Sequence, residues 1–116
     1  MKREARIILI IGIALMVPAL TFAADKGIFR LQGVVMAVDV KKDVVTVNER
    51  TFLCGQRTSI YNERGALTSL DKLRVRGWVY IEAIPGRGNQ ANIAERIYVI
   101  PKYIDEKEKH LYPFIQ

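Results

Sequence analysis

Residues 74–84 read Arg74-Val75-Arg76-Gly77-Trp78-Val79-Tyr80-Ile81-Glu82-Ala83-Ile84, and their character alternates with a period of two. One row is small or branched and mostly apolar: Val75, Gly77, Val79, Ile81 and Ala83. The other row is large, polar or aromatic: Arg74, Arg76, Trp78, Tyr80 and Glu82. This alternation predicts a half-buried β-strand that turns the first row to the core and the second row to water.

The segments before this stretch predict shorter strands. Residues 29–38 predict a long first strand, in which Gly33 marks a bend or bulge of the kind that lets a small barrel curl. The run Val44-Val45-Thr46-Val47-Asn48 contains four β-branched residues and predicts the second strand. A tight hairpin at Glu49-Arg50 leads into a third strand over residues 51–54.

The remaining segments complete the predicted architecture. Asn62-Glu63-Arg64-Gly65 is typical of a turn, because Asn and Gly tolerate positive φ. Thr68-Ser69-Leu70-Asp71 resembles a capping box, and it predicts a single helical turn that plugs the barrel with Leu70 and Leu73. Residues 91–100 predict the closing strand with a bulge near Ala94-Glu95, and a helix is the alternative for this segment.

Together these elements predict an all-β protein, a small OB-like barrel of five or six strands with one short helical turn. The barrel occupies residues 29–100, after a lead-in over residues 24–28. Residues 101–116 form a charged tail that carries no core signal of its own.

The N-terminus has the three parts of a secretory signal peptide over residues 1–23. Lys2, Arg3 and Arg6 precede about 14 apolar residues, and Thr21-Phe22-Ala23 supplies small residues at the positions that signal peptidase requires. The alternative is an uncleaved inner-membrane anchor over residues 7–24, because that run is near the shortest length that spans a bilayer. The sequence therefore predicts a periplasmic protein, and it predicts contact with the membrane only for the alternative in which the leader is uncleaved.

Charge and cysteine content restrict the function further. The leader accounts for +2 of the formal charge of +6, so a chain that begins at Ala24 carries +4. A charge this small, without a basic run, does not favour nucleic acid as a partner. Cys54 is the only cysteine, so no internal disulfide forms, and we predict that its thiol is buried and unpaired rather than reactive or bridged to a partner.

Neither catalysis nor metal binding has a clear signal. His110, the only histidine, lies in the tail, and no His, Cys, Asp and Glu cluster has metal-ligand spacing. The sequence therefore predicts a protein that is not an enzyme and needs no cofactor.

The polar row of the opening stretch is the candidate binding site. Arg74, Arg76, Trp78 and Tyr80 have the composition of a protein-interface hot spot or of a ligand-binding strand face. The alternative is that Trp78 and Tyr80 cover a second hydrophobic patch beneath the tail. An envelope protein is the predicted partner, and a glycan or a lipid headgroup is possible.

Taken in order, the motifs resemble a known type of domain. Gly33-Val34-Val35, the run at residues 44–48, Leu70-Asp71-Lys72-Leu73, Gly77-Trp78-Val79 and Ala94-Glu95-Arg96-Ile97-Tyr98-Val99 are similar to small exported OB-like barrel domains of bacteria whose function is unknown. This resemblance covers roughly residues 29–100. It implies a fold and supplies no catalytic residues.

A weaker resemblance is to the periplasmic haem chaperone of cytochrome c maturation. In that family an OB barrel follows an N-terminal hydrophobic segment, and a haem-binding histidine after the closing strand is followed by a tyrosine. Here His110 and Tyr112 are the corresponding pair, although their spacing departs from the family pattern. The sequence thus predicts a non-catalytic binding or accessory module of an envelope assembly, with a haem or metal carrier acting through the His110/Tyr112 tail as the alternative.

Overall fold

A computed structural model describes residues 27–115 of the chain, and the predicted leader lies outside the described residues. The described part contains seven β-strands and two short 3₁₀-helices. The strands are β1 (Phe29–Asp39), β2 (Val44–Val47), β3 (Arg50–Leu53), β4 (Ser59–Tyr61), β5 (Leu67–Thr68), β6 (Trp78–Ile84) and β7 (Asn92–Ile100). The 3₁₀-helices span Leu70–Lys72 and Lys109–Leu111.

Five of the strands close into a barrel. Antiparallel pairs join β3 to β2, β2 to β1, β1 to β6 and β6 to β7, and a parallel pair between β3 and β7 closes the ring. The short strand β4 continues alongside β7, also in parallel, and carries β5 on its outer edge. The predicted small OB-like barrel is therefore confirmed, with the β4–β5 hairpin added to its wall.

The barrel interior is filled by branched and aromatic side chains. Val79, Ile81 and Ala83 of β6 are each no more than 1% exposed, which confirms this part of the predicted core row. Val75 was predicted to face the core and is 55% exposed, because it lies in the turn before β6, and Glu82 was predicted to face water and is 6% exposed. The helical turn before β6 is also confirmed, because Leu70 and Leu73 are buried in the same core. Its cap differs from the prediction, since Ser69 is the N-cap residue and its hydroxyl donates to the Asp71 carboxylate.

Two irregularities bend the long strands. The β6–β7 register shifts at Glu95, so the predicted bulge there is confirmed and the helix alternative for this segment is wrong. The β1–β2 register shifts at Met36, whereas β1 pairs with β6 at Gly33 without a shift, so the bulge of β1 lies three residues beyond the glycine at which a bend or bulge was predicted. Gly33 serves close packing instead, because a Cβ there would lie 2.6 Å from Cγ1 of Val47.

The hairpin between β2 and β3 turns one residue earlier than the sequence suggested. Asn48 and Glu49 adopt positive φ angles of 50° and 69°, so the turn is centred on these two residues. The Asn48 side chain also ties the turn to β1, since its Oδ1 accepts a 2.9 Å hydrogen bond from the amide of Val34.

A second hydrophobic core lies outside the barrel, between the β6–β7 wall and the tail. Its buried members are Tyr80, Ile100, Ile104 and Ile115. The expectation that the tail lacks a core of its own is wrong, since Ile104 is 0% exposed and Ile115 is 7% exposed. The tail thus seals the outer face of the barrel wall.

Candidate functional site: a basic cleft beside the start of β6

The described residues form a cleft with a volume of about 470 Å³, within the usual range for ligand pockets. It is lined by residues of the β4–β5 turn, the first 3₁₀-helix, the turn that leads into β6, the start of β6 and the end of β7. We call its exposed charged residues the rim and its apolar residues the floor. We call this feature the basic cleft. Its charged lining residues are Glu63, Arg64, Lys72, Arg74 and Arg76, and its apolar lining includes Val35, Leu73, Trp78, Val79, Val99 and Ile100.

The turn from 74 to 77 places two of the predicted site residues at the rim. The amide of Gly77 donates to the carbonyl of Arg74 at 3.0 Å, and Arg76 has a φ of 76°. The amide of Arg76 in turn donates to the carbonyl of Val35 at 2.7 Å, which fixes the turn against β1. The prediction that residues 74–77 continue the strand is therefore wrong, and this turn brings both arginines to the mouth of the cleft.

Trp78 begins β6 and forms part of the floor. It is half-buried, and it pairs with Ile100 across the β6–β7 ladder. Its ring also packs edge-on against Tyr103 of the tail, with 5.9 Å between ring centroids. Trp78 therefore connects the cleft to the second core, and it is neither fully exposed nor fully sealed.

The electrostatic character of the cleft comes from four cations and one carboxylate. All five of these side chains are exposed. Within residues 27–115, none of Arg64, Arg74 and Arg76 forms an ion pair. Lys72 lies close enough to Asp71 to help lower the pKa of that carboxyl, after the larger effect of the hydrogen bond from Ser69. The three arginines are thus available to an anionic group.

Arg64 and Lys72 escaped the sequence prediction. Each lies in a turn that the sequence identified correctly. A cation in each of two turns that lie close together in the sequence could have indicated that both residues belong to one site. What the sequence did not show is that β4, by pairing with β7, carries the Arg64 turn to the same cleft as Arg74.

The predicted exposure of Tyr80 is wrong. Its side chain is 2% exposed because the tail covers it, and its ring lies 5.9 Å from that of Phe114. The structure therefore groups Arg74, Arg76 and Trp78 at the basic cleft and places Tyr80 in the second core, as the alternative interpretation of this strand face proposed. A binding role for these residues stays a prediction.

Aromatic stacking and a side-chain clasp hold the tail in place. The Tyr98 ring stacks on Phe114 with centroids 4.2 Å apart and on Tyr61 at 4.9 Å. The Gln32 side-chain amide forms two hydrogen bonds with the backbone of Ile104. Its Nε2 donates to the Ile104 carbonyl at 2.8 Å, and its Oε1 accepts from the Ile104 amide at 2.7 Å. Two independent kinds of contact thus fix the tail to the barrel wall.

The two residues proposed as haem ligands differ in their exposure to solvent. His110 is exposed on the second 3₁₀-helix, whereas Tyr112 is half-buried and packs edge-on against Phe114. Within residues 27–115, no group of three or more His, Cys, Asp and Glu side chains is placed to hold a metal ion. No specific observation favours a haem or metal site at these two residues.

Cys54 is 6% exposed, which confirms its predicted burial, and that it forms no bridge to a partner stays a prediction. Burial raises the pKa of its thiol to about 11, and the nearby charge of Asp43 adds to the rise. The thiol is therefore protonated at neutral pH, in the inert state expected of a structural cysteine.

The barrel resembles those of known structures. The fimbrial biogenesis protein PilY2 from Pseudomonas aeruginosa is 22% identical, with a TM-score of 0.50 over 63% of this chain and 87% of its own. Ag(I)CusF is 16% identical, with a TM-score of 0.47 over 63% of this chain and 97% of its own. No protein-family model and no curated protein sequence matches the chain. The likeness to PilY2 shows a shared fold.

The described segment was also searched for membrane-spanning helices. None of the helices within residues 27–115 is long and apolar enough to cross a bilayer.

Proposed function

We propose that this chain is a non-catalytic binding module of the bacterial envelope and that it binds a protein partner in the basic cleft. The observation that carries the proposal is the arrangement of Arg64, Arg74 and Arg76, which lack ion pairs in the described structure, around an apolar floor that includes Trp78. Arginine and tryptophan are the residue types most enriched at the energetic centres of protein interfaces.

The concave shape of the cleft supports a binding role for its charged residues, as opposed to charges that are only solvated. Arginines scattered on a convex surface gain little from an exposed partner, because water screens each pair. Around a concave apolar floor, a partner side chain excludes water from the same space, and the charges act at lower dielectric. The cleft thus combines a source of affinity with a source of specificity.

The lining residues support a non-catalytic role. Glu63 is the one carboxylate among them, and neither histidine nor cysteine lines the cleft. General acid–base catalysis needs a positioned proton donor and acceptor, and nucleophilic catalysis needs an activated nucleophile. Thr68 is the one hydroxyl-bearing side chain in the lining, and no histidine stands beside it.

The envelope location rests on the signal-peptide pattern of residues 1–23. PilY2 is described as a fimbrial biogenesis protein. An accessory role in the assembly of an envelope structure is compatible with the same barrel, while the fold likeness by itself assigns no partner.

Site-specific photocrosslinking in the bacterium that encodes the chain tests this proposal. A photoreactive amino acid at position 72, at the cleft rim, should yield a discrete adduct with one envelope protein. The adduct should disappear when Arg74→Glu and Arg76→Glu are combined, because the partner then meets repulsion at the rim.

The matched control carries the photoreactive residue at position 87, which is exposed and does not line the cleft. Adducts of equal yield from positions 72 and 87, or an adduct that persists after both charge reversals, would contradict the proposal.

A further inference from the structure

We propose that the occupant of the basic cleft is an acidic segment of the partner protein that inserts one apolar side chain. This inference rests on the proposed function and specifies the chemistry of the partner at that site. It follows from three features of the cleft, which are its charge, its floor and its shape.

The charge of the rim selects an anionic partner. Four cations face a single carboxylate, Glu63, and the cations come from three separate elements of the chain. Arg64 lies in the β4–β5 turn, Lys72 in the first 3₁₀-helix, and Arg74 in the turn before β6. Because the cations come from separate elements that line one cleft, two or three carboxylates distributed along a segment could each meet a separate cation.

The floor selects an apolar group. Leu73, Val79 and Ile100 line the cleft and are buried beneath it, while Trp78 and Val99 are half-buried. A partner side chain placed on Trp78 would remove the remaining apolar surface of the ring from water, which is favourable in proportion to the area covered. An anion without an apolar part, such as inorganic phosphate, gains nothing from this floor.

The shape favours a peptide over a membrane or a nucleic acid. The cations that line the cleft are exposed whereas Trp78 and Val99 are half-buried, so a planar bilayer would meet the cations before it covered the Trp78 ring. A single-stranded nucleic acid binds by stacking successive bases on several aromatic side chains, and Trp78 is the one aromatic residue that lines the cleft. An extended peptide can place an apolar side chain on Trp78 while its neighbouring carboxylates reach the cations of the rim.

The backbone at Arg76 supplies a sharp test. Its φ of 76° is in the left-handed region, which glycine adopts without the steric cost that other residues carry. Arg76→Gly therefore removes a rim cation while it relieves the backbone. Glu49→Gly is the matched control, because Glu49 has a φ of 69° and lies in the β2–β3 hairpin, outside the cleft lining.

Selection from a displayed library of random twelve-residue peptides identifies the preferred occupant without knowledge of the partner. The target is the protein purified from cells that express the complete chain, and the counter-target is the same protein with Arg74→Glu and Arg76→Glu. We expect enriched peptides to carry several Asp or Glu residues around one large apolar residue. Their binding should change the fluorescence of Trp78, the only tryptophan.

The variants then separate binding from folding. For an enriched peptide, we expect Arg76→Gly to weaken binding about tenfold, which is less than the loss of one partner from a fully buried charge pair because Arg76 is exposed at the rim. Its thermal midpoint should equal or exceed that of the wild type. Glu49→Gly should leave peptide affinity unchanged. An Arg76→Gly protein that binds the peptide with unchanged affinity would overturn the inference.

Other occupants are outcomes of the same experiment. Selection of neutral or basic peptides, or no enrichment over the counter-target, would overturn the inference. So would phosphatidylglycerol vesicles or an oligonucleotide that bind the wild type and lose binding in the Arg74→Glu, Arg76→Glu protein while peptides do not. A cleft-specific protein adduct from position 72 together with a failed peptide selection would refute the acidic segment and leave the proposed function standing.

Discussion

The tail provides the most quantitative prediction for the fold, because Ile104 is fully buried between the tail and the barrel wall. Ile104→Ala removes three buried carbon atoms, worth about 0.8 kcal/mol each in transfer free energy. The clasp from Gln32 holds the Ile104 backbone in place, so the site cannot collapse fully and a cavity penalty adds to this sum. We expect the free energy of unfolding to fall by about 3 kcal/mol.

Urea denaturation with two probes measures this effect. The far-ultraviolet circular dichroism signal reports the unfolding of the barrel strands. Trp78 fluorescence reports the detachment of the tail from the barrel, because the Trp78 ring contacts Tyr103 of the tail. Coincident transitions by both probes are expected if the tail and the barrel unfold as one cooperative unit.

Leu111→Ala is the matched control, since it truncates a large aliphatic residue of the same tail that is 63% exposed. It should cost less than about 0.5 kcal/mol. A loss below about 1 kcal/mol for Ile104→Ala, or equal losses for the two variants, would refute the second core.

Three further predictions concern single side chains. Trp78→Ala should lower the free energy of unfolding by about 2 kcal/mol, less than for a sealed tryptophan because Trp78 is only half-buried; a loss above about 4 kcal/mol in urea denaturation would mean that the ring is sealed. Because burial raises the Cys54 pKa from 9.0 to about 11, the contribution of this thiol to stability should be constant below about pH 9 and should fall as the pH approaches 11. Cys54→Ala should lack the part of this fall that the thiol causes, and identical pH profiles for the two proteins would contradict the assignment. Glu82→Gln should cost about 1–2 kcal/mol, because it removes the charge that accepts hydrogen bonds from Arg30 at 3.3 Å and Arg96 at 2.9 Å, while both arginines remain partly solvated; an unchanged denaturation midpoint would show that the pairs contribute nothing.

The residues that face the barrel interior were predictable because the sequence patterns that identify them are local. The period of two along β6 identified Val79, Ile81 and Ala83 as core residues, and the turn at residues 62–65 and the helical turn at Leu70–Lys72 were placed correctly. The β6–β7 bulge was predictable as well, because the alternation of β7 breaks at Glu95.

The burial of residues on the outer face of the barrel was not predictable from the periodicity of the sequence. The sequence pattern distinguishes the two faces of a strand but does not show what covers the second face. Tyr80 has a polar hydroxyl and reads as a water-facing residue, yet the tail buries it. Ile104 and Ile115 are isolated apolar residues in a charged segment, so their burial depends on contacts with β6 and β7 that no local pattern encodes.

The candidate site was predictable in part, for a similar reason. Arg74, Arg76 and Trp78 were chosen as one row of a strand, and they lie together because a turn carries the two arginines to the rim. Arg64 joins them only through the parallel pairing of β4 with β7. The chemistry of the residues was therefore visible in the sequence, while their convergence required the topology of the barrel.

The most direct test of the basic cleft as the binding site is the tryptophan side-chain resonance in a nitrogen–proton correlation spectrum. Trp78 is the only tryptophan, so its indole N–H gives one assigned signal on the cleft floor. On titration with an acidic peptide selected as above, this signal and the backbone signals of Arg64 and Arg76 should shift saturably, while those of exposed Arg87 stay fixed. Shifts centred on the tail around His110, with the Trp78 indole signal unmoved, would contradict the account.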